Sequence, residues 1–197
     1  MKILVVGSTG LIGSYVAKAL EKYGEVIGVS RSTPISVDVK DPNSIKAMYE
    51  KVGRVDAVAS CIGKVAFKSI TELTYDEYLA GLKDKVMGQV ELVRLGLDFV
   101  NDGGSFTLMT GILARDPIPS GSVAALANGA IESFTLAAAI ELPRNLRINT
   151  VSPNVLVEAT SYHSAFPGFH QVSASEVADA YVKSILGKQN GQIYKLD

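Results

Sequence analysis

Five residues of strand character, Lys2-Ile3-Leu4-Val5-Val6, run straight into Gly7-Ser8-Thr9-Gly10-Leu11-Ile12-Gly13 and then into a helix-period stretch through Leu20. That order constrains the fold strongly. A strand apolar on both faces has to be covered on both, the situation of a parallel sheet inside two layers of helices. Glycines in the following turn permit positive φ and close approach of a ligand, and a helix start behind them offers unpaired N–H groups and a positive dipole end to a phosphate. The turn therefore predicts a diphosphate cradle made of Gly7, Ser8, Thr9, Gly10, Leu11, Ile12 and Gly13. The alternative is a tight strand-helix turn that binds nothing.

Apolar runs and helix-period segments alternate along the remainder. Strands are expected near 2–6, 25–30, 35–39, 54–60, 104–110, 146–151 and 192–196, and helices near 11–23, 42–52, 74–100, 121–142 and 175–187. The pattern predicts an α/β fold, a Rossmann-type doubly wound parallel sheet of about seven strands, in one domain spanning 1–197. One connection is abnormal. Arg31 to Pro34 is too short for a helix, although parallel neighbours normally need a crossover of about a dozen residues or more, so the helix between the second and third strands is missing. The third strand is reached by a bare loop, or 35–39 is not a regular member of the sheet. The segment 153–172 is expected to be a loop over the carboxyl ends of the strands, where open α/β sheets bind ligands.

Charge narrows the partners. Lys plus Arg number 19 against 20 Asp plus Glu, so no basic field is available for nucleic acid. With one cysteine, Cys61, and no leader pattern ahead of Lys2, a cytoplasmic setting is expected. Apolar runs such as Thr135 to Ile140 are too short to span a bilayer. Neither a membrane nor a metal is expected.

The second strand ends Val29-Ser30-Arg31-Ser32, where selection of NAD would place a carboxylate for the ribose 2′-OH. Arg31, between the hydroxyls of Ser30 and Ser32, offers a guanidinium fork to a 2′-phosphate instead, which favours NADP over NAD; the plainer reading of Arg31 is a solvated loop residue. Asp38-Val39 and Cys61-Ile62-Gly63 fall where adenine and its ribose would lie.

Together with Ile148-Asn149-Thr150-Val151-Ser152-Pro153-Asn154, the glycine turn and the Asp38-Val39 pair make the chain resemble the short-chain dehydrogenase/reductase family over nearly its whole length. The resemblance implies NAD(P)-dependent hydride transfer, cofactor contacts that extend to Pro153 and Val155, and a homodimer or homotetramer built on helices 74–100 and 121–142. It also implies four catalytic positions, and each is occupied by something else. The Tyr place holds Ala124, the Lys place Asn128, the Ser place Gly111 and the Asn place Lys85.

Reducing a ketone by hydride creates an alkoxide, which needs a proton donor or an oxyanion stabiliser; losing general acid catalysis typically costs about 10²- to 10⁴-fold. Ala124 supplies neither. Quinones, flavins and activated carbonyls give weaker bases on reduction, so orientation can carry more of the work for such a small-molecule substrate. Thr110, Lys85 and Asn128 are the candidates for remaining polar chemistry, Lys and Asn having exchanged places between two helices relative to the family. Tyr162, His163 and His170 in the 153–172 segment are weaker candidates. The alternative is a module that binds NADP(H) as a sensor and does not turn it over.

Overall fold

In the computed structural model, which describes residues 1–197, the first strand β1 (Lys2–Val6) sends Ile3 and Val5 to one face and Leu4 and Val6 to the other, and all four are fully buried. Helices on both sides follow from that alternation. Ile3 and Val5 join Val16 and Leu20 of α1 (Leu11–Leu20) in one core. Leu4 and Val6 join Ile45, Met48 and Tyr49 of α2 (Pro42–Val52) in the other. Asp41 caps α2 by accepting from the Asn43 N–H, with Pro42 in the first turn, the start expected from the sequence.

The strands β2 (Glu25–Val29), β3 (Val55–Ser60), β4 (Val100–Met109) and β5 (Arg147–Pro153) extend the sheet from β1. Short strands β6 (Val155–Leu156) and β7 (Gln171–Val172) pair with each other apart from it, and β8 (Ile193–Leu196) completes it. The order is β2-β1-β3-β4-β5-β8 and every neighbouring pair is parallel. This is a Rossmann-like α/β sheet. The order reverses between β1 and β3, so a crevice opens at their carboxyl ends.

The sheet has six strands, not seven. Residues 35–39 form no strand: a single bridge, Ser30 to Ser36, is all that pairs there. The reason lies in the short connection. Thr33 Oγ1 accepts from the Ser30 N–H at 2.7 Å, and the Val37 N–H returns to Ser30 O at 3.0 Å, so the chain doubles back within a few residues and then enters α2. The crossover helix is absent, as the short connection predicts, and with it the length needed to lay a further strand alongside.

The helix expected over 74–100 is in three pieces. Thr74 and Glu77 form a reciprocal cap on α3 (Tyr75–Gly81), a π-helical turn follows over Leu82–Met87, and α4 (Gly88–Gly96) ends well short of residue 100. Val100 is already in β4 opposite Val55, and a register shift then sets Ser105 opposite Ala57, so this strand starts before the expected residue 104. The helix α5 (Ser122–Glu141) matches its expected 121–142 closely. By length and composition it is also long and apolar enough to cross a bilayer, although short runs within it such as Thr135 to Ile140 are not. Its buried Val123, Ala127, Ile131 and Ala138 seat it on the protein as a core helix. The last helix, α6 (Ala174–Leu186), is capped by Ser173 and Glu176 and covers the face opposite α5. Segment 153–172 is more ordered than a plain loop, holding β6, a 3-10 turn over Thr160–Ala165 and β7.

Candidate functional site

Two cavities meet along Cys61-Ile62-Gly63-Lys64, just beyond β3. The first, about 400 Å³, lies over the glycine turn and the end of β2. Gly7 adopts φ 86°, and a Cβ on it would stand 2.6 Å from Cys61 O. A Cβ on Gly13 would stand 2.0 Å from Gly7 O, so the third glycine lets α1 press onto the turn. Side chains cap α2, α3 and α6, but none caps α1, and its first turn carries no acidic residue. Its leading N–H groups are left for an anion.

Gly7, Thr9, Gly10, Ser30, Arg31, Ser32, Asp38, Val39, Cys61, Ile62 and Gly63 line this first cavity. Lys40, which no motif singles out, joins Arg31 there. Its placement is local chemistry: Asp38 Oδ1 accepts from the Lys40 N–H at 3.0 Å, turning the chain as it approaches α2. Three residues expected in the cradle line neither cavity. Ser8 packs its hydroxyl over Gly28, Leu11 is 42% exposed, and Gly13 is buried in the helix-turn contact. Ile12 lines the second cavity instead.

That second cavity, about 340 Å³, is mainly apolar, with Phe67, Leu113, Tyr162 and Phe166 in its wall. Phe67 and Tyr162 lie 5.7 Å apart, tilted by 58°. Lys85, Thr110, Gly111, Ala124, Asn128, Pro153 and Val155 all line it, drawn from five parts of the chain. Ala124 and Asn128 sit one helical turn apart on α5, so both can face the same space.

The polar groups differ in how they are engaged. Asn128 Nδ2 donates to Gly111 O at 3.2 Å, which fixes the amide orientation and leaves its buried Oδ1 with no partner. Thr110 Oγ1 donates to Glu132 Oε1 at 3.1 Å, with Val151 O farther away at 3.4 Å. The same carboxylate oxygen accepts from Ser152 Oγ at 2.9 Å, and Ser152 accepts from Arg115 Nη1 at 2.8 Å. Thr110 is thus tied into a charged network behind the wall. Burial pushes the Lys85 ammonium down to about 8, with neighbouring Asp84 opposing in part. Burial also pushes the Cys61 thiol up to about 12, the Tyr181 hydroxyl opposing. His163 turns away to Leu156 O at 2.9 Å, and His170 lines a separate depression beside Arg115 and Asp197.

A family profile described as Enoyl-(Acyl carrier protein) reductase matches residues 9–191, nearly the whole chain. The chain belongs to the short-chain dehydrogenase/reductase family. Protein lin1944 from Listeria innocua, known as a crystal structure, is 48% identical with a TM-score of 0.98, each chain covering 100% of the other. A small-chain dehydrogenase solved in complex with NADPH is 26% identical with a TM-score of 0.89, over 100% of this chain and 96% of its own. An uncharacterized oxidoreductase of Methylorubrum extorquens is 23% identical, over 84% of this chain and 77% of its own length. The chain spans only 55% of a short-chain dehydrogenase/reductase of Pestalotiopsis microspora to which it is 28% identical.

The family couples NAD(P) to oxidation and reduction, and this chain is an oxidoreductase of that kind by membership. Three polar residues behind the cavity walls carry no signal in the sequence. Glu132 and Arg115 look like ordinary helix and loop charges in sequence, because their shared partner Ser152 lies on another strand. Gln89 is fully buried, donating from Nε2 to Lys85 O and Met109 O and accepting from the Met109 N–H. An uncharged residue inside an amphipathic stretch gives no signal of such a role.

Proposed function

We propose that the protein is an NADP(H)-dependent oxidoreductase acting on a small apolar acceptor, a quinone, flavin or activated carbonyl. The observation that carries this reading is the junction of the two cavities: a polar one with the glycine turn, Arg31 and Lys40, and an apolar one with Lys85 and Asn128. A dinucleotide laid across the junction fits the residues present. Uncapped N–H groups of α1 suit the diphosphate, Arg31 and Lys40 suit a 2′-phosphate, and the orphaned Asn128 Oδ1 suits a ligand hydroxyl or amide. When bound, the nicotinamide supplies the hydride. NADP is preferred to NAD because no carboxylate stands at the end of β2 and two cations line the pocket there.

In this reading Ala124, Asn128, Gly111 and Lys85 occupy the family's Tyr, Lys, Ser and Asn places, and the Tyr-x-x-x-Lys motif is lacking. The protein's part is then to exclude water with the aromatic wall, to orient the acceptor, and to stabilise a modest negative charge. Exposed Leu126, Leu136 and Ile140 on α5 support a homodimer or homotetramer through α5 and the α3–α4 region. A cytoplasmic location goes with this reading. A methyl group at Ala124, in the wall where an acid is wanted, favours the second reading, a sensor that binds NADP(H) without turnover.

Nucleotide binding followed by fluorescence, then NADPH oxidation with a panel of quinones, flavins and activated carbonyls, separates the two. Binding with turnover supports the enzyme; tight binding with none across the panel supports the sensor. No binding of either nucleotide defeats both.

A further inference from the structure

We propose that the Lys85 ammonium is the proton donor to the substrate oxygen in the apolar cavity, a role that rests on the oxidoreductase reading above. Its placement is the first argument. Lys85 sits in the π-helical turn between α3 and α4 and lines the cavity wall, and such turns often mark functional positions. Gly63 makes room for it: with φ 133° and no side chain, it lets the lysine stem lie against its backbone, where a Cβ would come within 2.6 Å of Lys85 Cγ and 2.8 Å of Cδ. Gln89 holds the lysine's carbonyl at 3.1 Å and the end of β4 at 2.9 Å, so the turn is tethered to the strand that presents Thr110.

Elimination is the second argument. Thr110 has its hydroxyl proton committed to the Glu132 carboxylate, so toward a ligand it offers lone pairs. The Cys61 thiol, raised to about 12, is a poor acid at neutral pH. Asn128 can donate a hydrogen bond and has no proton to transfer. Lys64 is exposed, and Tyr162 is 48% exposed at the aromatic rim. The titratable groups around Lys85 are thus Cys61 and Lys64 beyond β3, Tyr162 in the 160–165 turn, and Asp84 beside it, while α5 contributes only neutral Ala124 and Asn128. No carboxylate forms an ion pair with Lys85; Asp84 Oδ1 accepts from the Lys64 N–H at 2.8 Å. Lowered to about 8, Lys85 is charged at neutral pH yet close enough to it for ready transfer.

The step balances. The substrate carbonyl carbon takes an electron pair as hydride from the reduced nicotinamide, the C=O π pair moves onto oxygen, and that oxygen forms a bond to a proton as the Lys85 N–H breaks. The carbonyl is reduced, the nicotinamide is oxidised, and water returns a proton to the Lys85 amine.

4-Nitrophenol tests this without turnover, because its anion is coloured and mimics the developing oxyanion. With NADP⁺ bound, wild type should bind the anion, Lys85→Met and Lys85→Gln should bind it about tenfold or more weaker, and Lys85→Arg should stay within about threefold, the scale of one charge-assisted hydrogen bond. NADPH affinity should be unchanged in all three, and in turnover Lys85→Arg should lose rate because a guanidinium does not release its proton. Equal anion binding by wild type and Lys85→Met overturns the proposal, as does loss of it in Tyr162→Phe with Lys85→Met unaffected. Weaker NADPH binding by Lys85→Met also overturns it, placing the lysine on the cofactor and leaving the oxidoreductase reading intact. Wild type that binds neither nucleotide removes that reading and the proposal together.

Discussion

Around the glycine turn, Gly7 and Gly13 bring backbone against backbone; around the apolar cavity, the polar groups are side chains with some latitude, Thr110 tied to the Glu132 carboxylate, Asn128 to the Gly111 carbonyl, and Lys85 held only through its main-chain carbonyl by Gln89. The contrast has a physical basis. A diphosphate is the same in every dinucleotide, and a cradle of N–H groups at a helix start serves it whatever the neighbouring side chains are. An acceptor's oxygen must meet a particular group at a particular protonation state, and side chains supply that. The first end leaves no room for a side chain at Gly7 or Gly13. At the second, α5 and the π-helical turn each present a polar residue, Asn128 and Lys85, to the same cavity.

Gly13→Ala should therefore have the largest effect. Its Cβ would lie 2.0 Å from Gly7 O, and neither atom can yield without moving α1 off the turn. We expect a loss of about 3 kcal/mol in urea unfolding, at the top of the usual range for overpacking, together with loss of NADPH binding. An unchanged urea midpoint would show that the turn is looser than the geometry indicates.

Next comes a pH effect at the acceptor end. The folded-state value of Lys85 is lowered from 10.5 to about 8. Between those two pH values the unfolded chain holds a proton that the folded chain has released, so stability rises with pH across that window. The advantage is complete above 10.5 and lost as pH falls through about 8. Taking wild type minus Lys85→Met at each pH removes the tyrosines and Cys61 from the comparison. A flat difference from pH 8 to 10.5 would mean that the lysine is solvated, and the acceptor end less enclosed than the structure has it.

Legibility in the sequence follows the same divide. The cradle could be read because it depends on local order, strand then glycines then helix, and β1, α1 and their contact obey rules that act within about a dozen residues. Where the Ser8 and Leu11 side chains face was not legible, because a motif says which residues lie in the turn but not which way each side chain points. The strand at 35–39 failed for a different reason: Ile35, Val37 and Val39 alternate correctly, but the turn closed by Thr33 leaves no length for pairing beyond Ser36. Lys85 and Asn128, singled out through the family resemblance, line the same cavity in the structure. Glu132, Arg115 and Gln89 were not legible, since their partners lie 20 or more residues away.

Gly63→Ala and Thr110→Val probe the acceptor end at lower cost. At Gly63 the new Cβ meets the stem of Lys85, which can rotate away, so the strain is mainly that of φ 133°, about 1–2 kcal/mol. Displacing the lysine should weaken nitrophenolate binding, measured at saturating NADP⁺ because Gly63 also lines the nucleotide cavity. Thr110→Val removes one of two hydroxyls donating to Glu132 Oε1 and leaves Ser152 in place, for about 1 kcal/mol. Nitrophenolate binding should survive that change, because the Thr110 proton points to Glu132. If Thr110→Val abolishes it, the threonine and not the lysine is the donor.

Arg31→Ala should have the smallest effect on folding and a clear one on nucleotide choice. The guanidinium is exposed and makes no ion pair within the chain, so stability should stay within about 0.5 kcal/mol of wild type. Against a 2′-phosphate it would contribute a charge-assisted hydrogen bond, and removing it should weaken NADPH about tenfold with NADH unchanged. Lys40 shares the pocket, so the loss should be partial and Arg31→Ala with Lys40→Ala should deepen it. Equal weakening of NADPH and NADH would place Arg31 on the diphosphate. Arg31 would then be reinforcing the backbone cradle, and the choice between the two nucleotides would rest with Lys40.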